Sequence, residues 1–232
     1  MKLKETQIEE LYKFTRQHFV EYYDVQSELV DHLANDIEDI WEEKPQISFE
    51  KARDISFQKF GVFGFMNVIE SRQKALSKRY MKILWRFVKE WFTFPKILVT
   101  TSIFLLSYAT FQLKHGYAIF LTLLLIFGII DLVLATKLKK KSKLRFKNKN
   151  KKWMLEEMIF NTGAFSGILI LSNIFQIATL ADDITSTWGQ MLFSIFITLA
   201  IIHSYISLII IPQKADELLE NQYPEYKLSQ NM

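Results

Sequence analysis

Residues 136–153 read TKLKKKSKLRFKNKNKKW, and ten Lys/Arg with no acid fall between Lys137 and Lys152. A long apolar region lies on either side of this run. Lys and Arg are retained on the cytoplasmic side of spanning segments, so a basic run between two apolar regions reads as a cytoplasmic loop joining two membrane hairpins. The fold class follows from that loop: an all-α integral membrane protein, with an N-terminal cytoplasmic helical bundle followed by four transmembrane helices.

Working outward, the expected spans are about residues 93–113 and 117–136 before the loop 137–153, and about 158–180 and 190–211 after it. Each is near the ~20 residues that a bilayer needs. Together they form a transmembrane domain over 93–212, and 213–232 is a polar cytoplasmic tail with a short helix around 216–220. The two opposite loops hold Lys114 and His115 in one and Asp182 and Asp183 in the other. That charge asymmetry places both termini in the cytoplasm of a bacterial-type inner membrane.

Composition supports a charged head joined to a membrane part. Mean hydropathy is only +0.07, yet residues 1–91 hold 15 of the 29 Lys/Arg and 16 of the 25 acids. There is no cysteine, which excludes disulfides, thiolate metal sites and cysteine nucleophiles. The opening MKLKETQIEELYKF is charged and amphipathic, unlike a signal peptide. The net charge of +4 sits beside apolar spans, so it fits a membrane surface and not nucleic acid.

Within the head, residues 1–71, apolar residues recur at helical spacing from Ile8 to Tyr22 and again from Leu29 to Trp41. Pro45 ends the second helix, Ser48 is placed to cap a third, and Gly61 to close it in a left-handed turn. The order Tyr22-Tyr23, Glu28-Leu29-x-x-His32-Leu33, Ser48-x-x-x-Ala52 and Phe60-Gly61 resembles the HAAS-type (permease-prefix-like) domain over about residues 21–68. Two features depart from that family: Glu-Lys-Pro-Gln replaces the usual glycine turn, and no permease domain follows. The resemblance implies a non-catalytic regulatory or interaction module, with Tyr22, Tyr23, Glu28, His32, Phe60 and Gly61 as its interaction motif and a cytoplasmic protein as partner.

Glu28, Asp31, His32 and Asp36 share helical spacing and offer metal ligands, but no second helix supplies more. An acidic, solvated face is the reading preferred, with no metal and no cofactor. Residues 72–92 form a basic amphipathic helix at the lipid boundary, with Lys78, Arg79, Lys82, Arg86 and Lys89 on one side and rings and aliphatic residues on the other. These cations, with Lys139, Lys140 and Lys141 of the loop, are the expected contacts to anionic lipid.

Inside the spans, Asp131, His203 and Asn161 gather toward the cytoplasmic side, deep enough for an Asp–His contact. An intramembrane charge demands a partner. The pair is either a proton-sensitive or transport site or a structural hydrogen bond. Gly163-x-x-x-Gly167 allows close helix approach, either across a homodimer seam or within the chain. No phosphate-cradling loop, HExxH or strained-turn serine is present, so an enzyme is not expected. Residues 28–43 are expected to dock electrostatically over 137–152.

Overall fold

The computed structural model describes residues 2–149, 151–179 and 186–230. Its regular elements are all helical, with no strand among the described residues. The chain begins with α1 (Glu5–Gln17) and α2 (Tyr23–Glu43), which pack through Leu11, Phe14, Val25, Leu29, Leu33 and Ile37. Phe19 between them has a φ of 64°. The Trp41 indole N–H donates to the Ile47 carbonyl at 2.9 Å and closes the turn after α2. Ser48 then caps α3 (Phe49–Gln58) by accepting from the Lys51 amide. Gly61 and Gly64, at φ 75° and 53°, turn the chain into α4. A Cβ on Gly64 would stand 3.1 Å from the Phe57 ring, so that turn needs glycine twice over.

The helix α4 (Met66–Trp91) continues without a break across the expected boundary at residue 72 and then meets α5 (Lys96–Thr110) at 87°. Next comes α6 (Gly116–Lys149), 34 residues long. This overturns the expected loop at 137–153 over most of its length. Lys, Arg and Leu are good helix formers and no Gly or Pro interrupts them. Charge marks where lipid ends, not where the helix ends. At 1.5 Å per residue α6 is about 51 Å long against a hydrocarbon core of about 30 Å, so its basic end stands clear of an apolar layer as a rigid post.

The third hydrophobic segment is also divided: α7 (Met154–Asn161) and α8 (Phe165–Thr179) meet at 42°, with Gly163 in the break. The expected Asp182–Asp183 loop and the end of the expected 158–180 span lie outside the described residues. Ser186 accepts from the Gly189 amide at 3.0 Å to cap α9 (Thr187–Tyr205). That helix runs on through a π-helical turn, Ile206–Ile210, to Ile211–Gln213. Two short helices end the described chain, α10 (Ala215–Gln222) and α11 (Pro224–Gln230).

Two helical stretches are long and apolar enough to cross a membrane alone, Gly116–Lys147 and Thr187–Gln213, and the two bent pairs raise the count to four if each is one crossing. The protein is therefore an all-helical membrane protein with two to four candidate spans. Its main core joins α1–α4 to α7, the π-helical turn, α10 and α11, with Trp153, Leu155, Ile159, Ile206, Leu219 and Tyr226 buried at its centre. A much smaller core, Phe120, Leu124, Ile170, Ile177 and Ile197, lies between α6, α8 and α9. Within the expected polar tail, Ala215, Leu218, Leu219, Tyr223 and Tyr226 belong to the main core.

Candidate functional site

Asp131 on α6 is almost fully buried, at 1 % exposure. Its Oδ2 accepts the Gly167 amide of α8 at 2.8 Å, and its Oδ1 accepts the Ser204 hydroxyl of α9. One carboxylate thus fastens three helices. A Cβ on Gly167 would lie 2.5 Å from Asp131 Oδ2, so only glycine lets the backbone come this close. Gly163 plays a parallel part against Leu208, whose Cδ2 would be 2.3 Å from a Cβ. Both glycines are therefore used inside the chain.

His203 shares a hydrogen bond of 2.7 Å between its Nδ1 and the Ser166 hydroxyl, next to the Phe165 ring. Asp131 and His203 share no hydrogen bond: of the adjacent pairs Ser166–Gly167 and His203–Ser204, Gly167 and Ser204 hold Asp131 while Ser166 holds His203. In place of the Asp–His contact that the depths allow stand two serines and a backbone amide. Asn161 is not in this cluster, because its side chain is exposed and donates to Glu157 on α7 at 3.2 Å. The Ser207 hydroxyl donates to the His203 carbonyl at 2.7 Å where the π-helical turn begins.

A second polar centre sits where the head meets the span ends. Asp24 in α2 accepts the Met154 amide at 3.2 Å and the Tyr223 hydroxyl at 2.8 Å. Burial pushes the Asp24 carboxyl above its usual range, against these two hydrogen bonds. Burial likewise raises the Tyr223 and Tyr226 phenols, so both stay neutral donors. Trp153, 1 % exposed, touches the rings of Tyr23, Tyr223 and Tyr226. Beside it Arg145, near the end of α6, donates to Glu156 at 2.6 Å, to Asp216 and to the Tyr226 hydroxyl at 2.9 Å.

Two of the six residues of the expected head motif, Tyr22 and Tyr23, are spent on this junction. Tyr22 lies under Lys152, and the Tyr23 amide donates to the Lys152 carbonyl at 2.7 Å. Lys152 also pairs with Glu21 and Glu157. Glu28 lies 3.6 Å from Arg72, and Asp36 pairs with Lys59. Two acids of 28–43 thus meet cations elsewhere, Glu28 at Arg72 of α4 and Asp36 at Lys59 just after α3, which corrects their expected docking over 137–152: contact there is made by residues 21–24. His32 borders a shallow groove with Asp36 and Lys59, and no three potential metal ligands converge among the described residues. Phe60 stacks edge-on to Phe65, and Gly61 turns as expected.

The cations Lys78, Arg79, Lys82, Arg86 and Lys89 are exposed along α4, as are Lys139, Lys140 and Lys141 along α6. Asp24, Arg145, Trp153, Ser166, Ser204, Tyr223 and Tyr226 were not foreseen as site residues. A signal existed for the last two: Ala215, Leu218, Leu219, Tyr223 and Tyr226 follow helical spacing in an otherwise polar tail.

The class these features define is a small helical membrane protein with a compact polar-and-apolar junction at one end of its spans. No protein-family model, curated protein or solved structure matches the chain.

Proposed function

We propose that this is a non-enzymatic, membrane-anchored regulatory or interaction protein whose head, HAAS-like in residue order, binds a cytoplasmic protein. In this reading both termini are cytoplasmic, four spans cross a bacterial-type inner membrane, and anionic lipids surround the basic segments. The orientation draws on the Lys/Arg of α4 and α6.

One observation carries the interaction reading. Two corners of the head hold apolar side chains out in water: Phe19 is 85 %, Val62 99 % and Phe63 72 % exposed. The corners flank one ring, since His18 packs on Phe57 and Gly64 lies over that same ring. A positive φ at a bulky residue such as Phe19 is strained, and strain of this kind gathers at functional surfaces. Contiguous exposed apolar groups mark contact sites. Tyr22, Tyr23 and Glu28 are engaged within the chain, so the partner-facing part of the motif narrows to Phe60-Gly61 and its neighbours.

The test places a photo-crosslinking amino acid at Val62 in the full chain, in cells. The expected result is one protein adduct that disappears with Phe19→Ser/Phe63→Ser and is absent when the probe stands at Glu43. Adducts to lipid alone would overturn the partner reading. The alternative, a small transporter or channel subunit, draws on the buried Asp131, because intramembrane acids are functional candidates by default. A pH-linked solute flux in vesicles, lost in Asp131→Asn, would favour it.

A further inference from the structure

The helix α4 has one apolar face buried within the chain, a second apolar face that is exposed, and a cationic side that meets the head through Arg72. At about 100° per residue, Leu76, Tyr80, Leu84 and Phe87 fall on one side. All four are buried, and the helix packs there on α7 and the π-helical turn. Arg72 points to the head, where it meets Glu28. On the side opposite Arg72, Met81, Trp85 and Phe92 fall within about 40° of one another. They are 59 %, 60 % and 41 % exposed. The same face in the first half of the helix carries Glu70, Lys74 and Ser77, so the apolar stripe is confined to the end that joins α5.

The remaining side is cationic. A groove of about 640 Å³ between α4 and Gln222 of α10 is lined by Arg72, Lys78, Arg79, Lys82 and Arg86, with Leu76 and Ile83 at its apolar floor and no carboxylate in its wall. Arg72 already meets Glu28 and Arg86 lies 3.8 Å from Glu90, so the charge that calls for an anion is that of Lys78, Arg79 and Lys82 with Arg86 at their edge.

The bend supplies the orientation. α5 packs along α9, which is itself long and apolar enough to cross a membrane, and α4 leaves α5 at 87°. A helix at right angles to a span lies near the membrane plane. Its head-facing side then points to water, and the Met81–Trp85–Phe92 stripe points to lipid. The cationic groove opens beside that stripe, at the depth of phosphates.

We propose that α4 is a lipid-reading helix: Met81, Trp85 and Phe92 enter the acyl boundary while the groove of Lys78, Arg79, Lys82 and Arg86 takes the phosphate headgroup of an anionic phospholipid. Sulfur, indole and phenyl groups suit the boundary, and guanidinium and ammonium groups match a phosphodiester. The proposal rests on the membrane-anchored reading but not on the head's partner. Loss of the Val62 crosslink would leave it intact.

The full chain is reconstituted in vesicles of phosphatidylcholine, or of phosphatidylcholine with phosphatidylglycerol. One lipid at a time is brominated on its acyl chains, and the Trp85 signal is taken as the difference from Trp85→Phe. Both brominated lipids should quench Trp85, with brominated phosphatidylglycerol about two-fold more effective at equal mole fraction. In Lys78→Gln/Arg79→Gln/Lys82→Gln/Arg86→Gln quenching should persist and the preference should vanish, while Lys82→Gln alone should weaken it. Quenching of Trp85 by aqueous iodide but by neither lipid would overturn the immersed stripe. An unchanged preference in the quadruple variant would overturn the groove. Loss of the preference with inorganic phosphate, but not with chloride at equal ionic strength, would identify a free-anion site and overturn the lipid assignment.

Discussion

Asp131 and Asp24 are built alike and placed differently. Each is a buried carboxylate that accepts one backbone amide and one hydroxyl, drawn from two other parts of the chain. Asp131 ties α6 to α8 and α9 among the apolar helices. Asp24 ties α2 to the start of α7 and to Tyr223 after α10. The site among the apolar helices reaches its donor only because Gly167 has no side chain, whereas Asp24 meets an ordinary Met154 amide at the end of a linker. Close backbone approach does in the bundle what chain folding does at the junction. The junction also owns a cation, Arg145, which the Asp131 site lacks among its hydrogen-bond partners.

That difference gives the largest expected effect. Arg145→Met leaves Glu156, whose side chain is 8 % exposed, without its main partner. A buried charge left alone costs about 3–5 kcal/mol. Denaturant titration in detergent should show that loss, and limited proteolysis should show the tail released from Trp153. Gly167→Val comes next: overpacking and a lost charge-assisted hydrogen bond together cost about 3 kcal/mol. Here the damage should appear as reduced folded yield from membranes. An equal loss in Gly163→Val would tie both glycines to packing within the chain, against Leu208 and Asp131.

Smaller effects separate the two acids themselves. Tyr223→Phe removes one donor from Asp24 and should cost about 1.5 kcal/mol, the scale of a hydrogen bond to a charged group. Asp131→Asn keeps the shape and should cost only about 0.6 kcal/mol, since hydrogen bonds between membrane helices average that little. If Asp131→Asn instead exceeds Tyr223→Phe, the acid in the bundle is more than a fastener.

The smallest effect is in pH. Burial holds Asp24 above its ordinary value of 3.8. The folded protein therefore binds a proton there before the unfolded chain does. Stability from this group is fully present below 3.8 and is lost as pH rises through the folded value. Protease resistance of the tail should rise on acidification toward that window in the native chain, and this part of the rise should be missing in Asp24→Asn.

The helical elements were legible wherever the signal is local. Ser48 caps and Gly61 turns because side-chain chemistry and the missing Cβ act within four residues. The apolar stripe of α4 follows from spacing alone, but what covers it does not: expected at the lipid boundary, Leu76, Tyr80, Leu84 and Phe87 are buried where α4 packs on α7 and the π-helical turn. Other features depend on partners far away in the chain. The extension of α6 to Lys149 was masked by charge, which reports on solvent and says little about backbone. The docking of residues 215–226 rests on Trp153, some 70 residues earlier in sequence. Asp131 stood out as an acid among apolar residues, but its partners are one serine and a glycine amide, types too common to single out. His203 attracted attention by its chemistry and proved to be the neighbour of the residue that mattered.

The π-helical turn at Ile206–Ile210 gives α9 one residue more than a regular helix would hold in the same length. Everything after it is therefore dialled around the axis by about 100° relative to an uninterrupted α-helix. With that offset Tyr223 meets Trp153 while Ser204 still faces Asp131. Deleting a single residue such as Ile209 would leave an intact helix with its two ends keyed to different directions. The membrane half and the tail would then hold their sites only one at a time.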